Sequence, residues 1–421
     1  MNNVRFSLIA VLGFALCIPS AAQSTLEQCV EMAYRNYPQI QEYDLIEASR
    51  KYDIANASAA WLPQLTLSGK ATWQSAVVEM PFEIQGMEFN IPHDQYGVTA
   101  DVTQQLWDGG ATSIRRQLAD AGADVKKNQL EVNLYNIRSR VQNIYLGINL
   151  LDRQIELNRL LQRSLQRKLD EIDAMIDNGV SYPGDKDQVK VSMLSCEQQR
   201  IALETDRKAY VRMLGMLTGT DMQGESFPEP DVDMSPSGTE SHRPELALYD
   251  AQLKQIDLQK KQLNANLMPR LNFNLQAGYG RPGLNMLSGE FDPYLLAGLR
   301  LQWNFGGFYT HKNDMRKIQT DAMRTEIARR SFIVNNSIEA VQKSSEVEKA
   351  ADVLSRDEEI IRLRESILET ADLQYREGVI KMNDYLSLLD EAFKAKLNSN
   401  IHAIQYIMAV CDLRNTMGNI K

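Results

Sequence analysis

Four short stretches of the chain alternate apolar and polar residues with a period of two. Leu65, Leu67, Ala71 and Trp73 alternate with Thr66, Ser68, Thr72 and Gln74, and Tyr96, Val98, Ala100 and Val102 lie opposite Thr99, Asp101 and Thr103. Further on, Leu271, Phe273, Leu275, Ala277 and Tyr279 alternate with Asn272, Asn274 and Gln276. Leu295, Ala297, Leu299, Leu301 and Trp303 stand opposite Arg300 and Gln302. The pattern predicts strands near 64–74, 95–106, 270–280 and 293–304. About ten residues with one apolar and one hydrophilic face is the size of a tilted membrane strand. Trp107 and Tyr294 break the alternation and leave their own facing open.

Outside these stretches the period lengthens. Leu130, Leu134, Ile137, Val141, Ile144, Ile148, Leu151 and Ile155 alternate steps of four and three, the spacing of a coiled-coil seam. The run 111–178 around them contains no proline, and its 68 positions would make a rod of roughly 100 Å. The 67 residues 311–377 form a second proline-free run, in which Val347, Leu354, Ile361 and Leu368 recur every seven. Shorter helices are predicted over 39–60, 185–217, 245–266 and 383–418. The stretch 218–243, rich in Gly, Pro, Ser and Asp, reads as a linker packed around the middle of the rods.

The elements occur in duplicate. Pro38 and Pro63 return 206 residues later as Pro244 and Pro269. Gly109-Gly110 returns as Gly306-Gly307 after 197 residues, and Gly179-Val180 as Gly378-Val379 after 199. Asp185 and Asp384 each sit six residues past their glycine. Repeats of 23–217 and 244–421 follow, each reading helix, strand, loop, strand, very long helix, tight turn (179–184 and 378–383), helix. The diglycines would let the backbone turn sharply from strand into rod, a structural role.

Composition narrows the setting. Arg5, the apolar run Phe6–Ile18 and Ser20-Ala21-Ala22 read as a secretory signal peptide over 1–22, too short to span a membrane. Its removal takes one cation from a net charge of −9 and leaves −10, which speaks against nucleic acid. No other stretch approaches the ~20 apolar residues of a membrane helix. With Cys17 removed in the signal segment, Cys29, Cys196 and Cys411 remain, an odd set without matched spacing, expected as buried free thiols. The four histidines are scattered, so neither a metal nor a cofactor is expected. No catalytic constellation and no phosphate-binding glycine loop is present, so an enzyme is not expected.

Taken singly, the helices suit a structural coiled coil and the strands a soluble sheet. Aromatics argue otherwise: Trp61, Trp107 and Trp303 mark the helix-proximal strand ends, and Trp73, Tyr96, Tyr279 and Tyr294 the distal ends near loops 75–92 and 280–292. Two belts suit the two interfaces of a transmembrane barrel. Four strands cannot close around a wet lumen, and open edges are excluded from lipid, so several copies must join with cyclic symmetry. A non-transporting coiled-coil envelope scaffold is the alternative, but it would have no use for hydrophilic strand faces.

The double occurrence of Leu62-Pro63-Gln64-Leu65, Gln105-Leu106-Trp107-Asp108-Gly109-Gly110, Trp303-Asn304-Phe305-Gly306-Gly307 and the two Gly-Val turns resembles the TolC-type outer-membrane efflux proteins. The resemblance implies a mainly α fold with a β-barrel part. Duplicated long helical hairpins would form a periplasmic tunnel, and four transmembrane strands per chain would enter a 12-stranded barrel of a homotrimer. It implies the outer membrane of a Gram-negative bacterium as location. It further implies an exit duct for small molecules or peptides, served by a periplasmic adaptor and an inner-membrane pump. Gly179, Val180, Gly378 and Val379 would then form the adaptor-contact tip, although glycine at such a turn is also a plain helix C-cap. Asp384, with Asp185, would form a periplasmic gate, or simply cap a helix. The family's second acidic position, three residues past Asp384, is Ser387 here.

Overall fold

The computed structural model describes residues 23–77, 92–230, 241–286 and 289–418. Residues 1–22, expected as a signal segment, most of the loop after the first strand and part of the linker lie outside the described residues. The chain divides into two compact units. One comprises 41–135 and 241–338, the other 136–240 and 339–421 with the N-terminal segment up to residue 40. The two longest helices, α3 (Ala111–Asp177) and α6 (Gly307–Arg376), each contribute to both.

The first unit holds the strands β1 (Gln64–Trp73), β2 (Asp94–Trp107), β3 (Arg270–Arg281) and β4 (Asp292–Gln302). They form one antiparallel meander in the order β1-β2-β3-β4, so among the described residues β1 and β4 are both unpaired edges. Paired residues share a face, and the register sorts two of them. Thr66, Asp101, Gln276 and Leu296 align across the sheet on one face; Leu67, Ala100, Ala277 and Leu295 align on the other. The apolar face is open: Leu65, Leu67, Leu295, Leu299 and Leu301 are 65–75 % exposed. On the polar face Asp101 accepts hydrogen bonds from Gln276 (2.7 Å) and Thr99 (3.0 Å), and Thr103 meets Asn274 at 3.2 Å.

Both residues that interrupt the alternation find their place. The β2–β3 register shifts between Gln105 and Trp107, and this bulge sets Trp107 opposite Leu271, back on the apolar face. Tyr294 pairs with Gly278 on the polar face, where its ring lies so close that a Cβ on Gly278 would meet it at 2.2 Å.

Against the sheet's helical end stand α2 (Glu42–Ser58), α5 (Pro244–Ala265) and the starts of α3 and α6. Alanines dominate the buried positions here, among them Ala57, Ala121, Ala123, Ala251 and Ala265, beside Leu130, Leu134, Leu248 and Leu258. The two diglycines work differently. Gly109 and Gly110 both have positive φ, Asp108 accepts from the N–H groups of Gly110 (2.9 Å) and Thr112 (2.7 Å), and a Cβ on Gly109 would strike Met268. Gly306 and Gly307 have no positive φ. There Asn304 accepts from the Gly306 N–H (3.0 Å), and α6 begins at Gly307 itself, four residues before the run read from the sequence.

The second unit contains α1 (Leu26–Asn36), the remainder of α3, α4 (Pro183–Thr218), the remainder of α6, and α7 (Met382–Met417). Helix α1 starts with a reciprocal cap between Thr25 and Gln28. The first half of the linker is folded onto this unit. Tyr145, wholly buried on α3, donates its hydroxyl to the Pro228 carbonyl at 2.6 Å and meets Phe227 edge-on. Cys29, Cys196 and Cys411 are buried free thiols; burial pushes Cys29 up to about 12 and Cys411 up to about 11. No described helix is long and apolar enough to cross a membrane.

Candidate functional site

The two Gly-Val turns close the α3–α4 and α6–α7 hairpins. Each ends its helix with a left-handed glycine, Gly179 at φ 75° and Gly378 at φ 71°. The Gly179 N–H bonds to Ile176 O (2.9 Å) and the Val180 N–H reaches back to Met175 O (2.8 Å). Gly378 and Val379 repeat the pair onto Tyr375 O (3.0 Å) and Gln374 O (2.8 Å). This double bonding satisfies the last carbonyls of the helix and accounts for both glycines. The same motif favours an apolar residue just past the glycine, packed on the last turn. Yet Val180 remains 63 % and Val379 69 % exposed, more than such packing requires.

Asp185 and Asp384 occupy matching positions at the third residue of α4 and α7. Asp384 is exposed and its carboxylate accepts the Lys381 N–H at 3.3 Å, so within one chain it acts on the helix start. Asp185 is half-buried and accepts from the Ser181 hydroxyl at 3.0 Å. Ser181 in turn lies 3.4 Å from the hydroxyl of Tyr375 on α6. Asp185 is therefore linked across to the other hairpin, while Asp384 is not joined to Asp185 by any described contact. A cavity of about 470 Å³ opens between the turns, lined by Val180, Tyr182, Asp185, Tyr375, Glu377 and Lys381 among others.

Beneath the turns lies a group that sequence reasoning passed over. Lys168 of α3 is 5 % exposed and pairs with Glu171 (2.8 Å) and with Asp372 of α6. Arg376 bonds to Glu171 (2.9 Å) and Asp372 (3.0 Å) and closes a four-membered ionic ring. The Lys168 ammonium also sits 4.5 Å from the centroid of Tyr385 and 5.4 Å from that of Tyr375, both rings buried. Burial pulls the ammonium's pKa down, but the hydrogen bonds it donates to Asp372 and Glu171 outweigh this and hold Lys168 above the usual lysine range. Burial also raises both tyrosines. Leu165, Ile172, Val189, Ala371, Met382 and Leu389 pack around this ring. A signal existed: Lys168 falls between Leu165 and Ile172, at steps of three and four, where the seam calls for an apolar side chain.

A family model described as outer membrane efflux protein matches residues 29–220, the first repeat. No curated protein matches the sequence. Among solved structures, the outer membrane protein VceC of Vibrio cholerae superposes with a TM-score of 0.67 at 15 % identity, covering 93 % of this chain and 96 % of that one. The open-state MtrE channel of Neisseria gonorrhoeae gives 0.66 at 14 % identity (93 % and 88 %). The CmeC channel of Campylobacter jejuni gives 0.63 at 14 % (93 % and 85 %). Each alignment extends over both repeats, so the second repeat shares the fold that the sequence match assigns to the first.

Proposed function

We propose that the protein is the outer-membrane exit duct of a tripartite efflux or secretion system, passing small molecules or peptides passively from periplasm to exterior. The observation that carries this reading is the sheet. Its apolar face is open although a soluble sheet would bury it, its other face is hydrophilic, and both edges lack partners among the described residues. Three copies joined edge to edge would give twelve strands, a wet lumen and an apolar wall against lipid. A scaffold would need none of these. The efflux-channel relatives support the same conclusion.

In this reading the Gly-Val turns meet a periplasmic adaptor through Val180 and Val379, and an inner-membrane pump supplies energy. Asp384 from each copy contributes to an acidic constriction. Asp185 restrains it through Ser181 and Tyr375, because opening must separate the two hairpins that this contact joins. The decisive experiment is crosslinking and purification from outer membranes. A trimer that conducts ions in planar bilayers is the expected result; a monodisperse monomer stable without detergent would sink the proposal.

A further inference from the structure

The polar face of the sheet is not evenly charged. Its cations are Lys70, Arg270 and Arg300, all exposed, and its acids are Asp101 and Asp292. Asp101 is engaged by Gln276 and Thr99, and Asp292 lies at the loop end of β4, eight residues from Arg300. At the helical end only arginines remain. Arg270 aligns with Gln302 and Arg300 with Asn272, so the two guanidinium stems are diagonal neighbours on adjacent strands of one face. Arg270 lies within electrostatic reach of Asp108, but that carboxylate is buried and taken by the Gly110 and Thr112 N–H groups. Arg300 has no hydrogen-bonded or ionic partner among the described residues. The side-chain amides of Gln105, Asn272 and Gln302 share this face around it.

Diagonal neighbours on a sheet are within reach of long side chains, and a fold gains nothing structural from an unpaired Arg beside another Arg. Folded into a closed barrel, the pair would repeat around the lumen. A ring of guanidinium groups between low-dielectric walls concentrates anions, and the planar fork suits oxyanions. We infer that Arg300, with Arg270, forms an anion-binding collar at the helical end of the barrel lumen, and that the duct's cargo includes small molecules bearing phosphate, sulfonate or carboxylate groups. This rests on the duct reading above, in which the polar face lines the lumen.

Single-channel recording tests it, with inorganic tripolyphosphate added on the side of the strand loops and hexaamminecobalt(III) as the cationic control. Tripolyphosphate is expected to block wild-type current in brief events, and Arg300→Ser to weaken that block about tenfold, with Arg270→Ser deepening the loss. Arg300→Lys should retain most of it. Gln302→Glu leaves both arginines in place and should weaken the block by adding a neighbouring acid. Equal tripolyphosphate block in wild type, Gln302→Glu and the double serine variant overturns the collar. A wild-type protein that forms no channel fails the duct reading instead, and the two failures are distinct.

Discussion

The two long helices carry similar heptad patterns and meet different fates. On α3 the seam is covered within the chain: Leu130, Leu134, Val141, Ile144, Ile148, Leu165 and Ile172 are all 6 % exposed or less. On α6 the heptad residues Val347, Leu354, Ile361 and Leu368 are only half-buried, Ile327, Val334, Ile338, Val341, Leu363 and Leu373 stand 52–73 % exposed, and the buried residues include the polar Asn336 and Asp357. A heptad repeat therefore states that a seam exists, not which chain covers it. Helix α3 enters the core of one chain along most of its seam; α6 leaves much of its apolar surface open and suited to further copies, while α7 of the same repeat joins the core.

The sharpest way to break this comparison is to truncate one leucine in each copy. Leu165→Ala on α3 should cost about 2–5 kcal/mol of folding stability. Leu363→Ala on α6 should leave the fold of a single chain nearly unchanged and act only on assembly. Denaturant unfolding of detergent-solubilised protein, set beside trimer yield, separates the two; equal losses of folding stability would remove the distinction. In the sheet, by contrast, the copies should behave alike. Leu67→Arg and Leu299→Arg on the open apolar face should each cost about 2–4 kcal/mol if near mid-membrane, while Ser68→Arg and Asn274→Arg on the polar face are tolerated. Trimer yield after outer-membrane extraction reads the effect, and equal damage on both faces would mean the lipid side is wrongly assigned.

Much of this was legible in the residues. Alternation in the strands and proline-free runs in the rods depend on local chemistry, so period alone located them. The facing of Trp107 was not, because it turns on a bulge between Gln105 and Trp107 that only the pairing partner reveals. The start of α6 was missed by four residues because Gly306-Gly307 looks like Gly109-Gly110 but lacks its positive φ. At the tip, the Gly-Val turns were legible as caps. The contact of Ser181 with Tyr375 was not, since it joins residues 194 apart through tertiary packing. Lys168 was legible in principle as a charge in an apolar seam.

Lys168 also separates the copies, since the residue 199 positions later is Ile367, half-exposed and without such a ring. Lys168→Met should destabilise the tip by on the order of 3 kcal/mol at most, because Asp372 and Glu171 lose their buried partner but keep Arg376. Ile367→Met should do almost nothing. The native state holds the Lys168 proton more tightly than the unfolded chain does. Its contribution is therefore complete below pH 10.5 and is lost as pH rises through the higher native value. Unfolding measured on either side of pH 10.5 should show that loss in wild type and not in Lys168→Met. A pH slope shared by both proteins would assign it to other groups. The valines test the proposed adaptor contact of both turns: Val180→Asp with Val379→Asp should abolish efflux at unchanged trimer yield, each single change having a smaller effect. Export unaltered by the double change would remove adaptor contact from the turns.

The smallest expected difference lies between the two aspartates. Both sit at the third position of a helix, where a carboxylate stabilises the start by roughly 0.3–1 kcal/mol, so Asp185→Ala and Asp384→Ala should lower stability by similar, slight amounts. Their effects on conduction should diverge. Asp185 holds Ser181 beside Tyr375, so its loss frees a contact between hairpins and should raise the frequency of opening without changing which ions pass. Asp384 is exposed and makes no described contact with the other hairpin. If the copies bring this residue together on the channel axis, a ring of like charges would attract cations, and its loss should lower cation selectivity. With Ser387 where a second acidic ring would stand, that shift should be modest. Reversal potentials under a salt gradient, recorded with opening frequency, distinguish the outcomes. If Asp384→Ala shifts thermal stability alone, the residue is a helix cap and the constriction lies elsewhere.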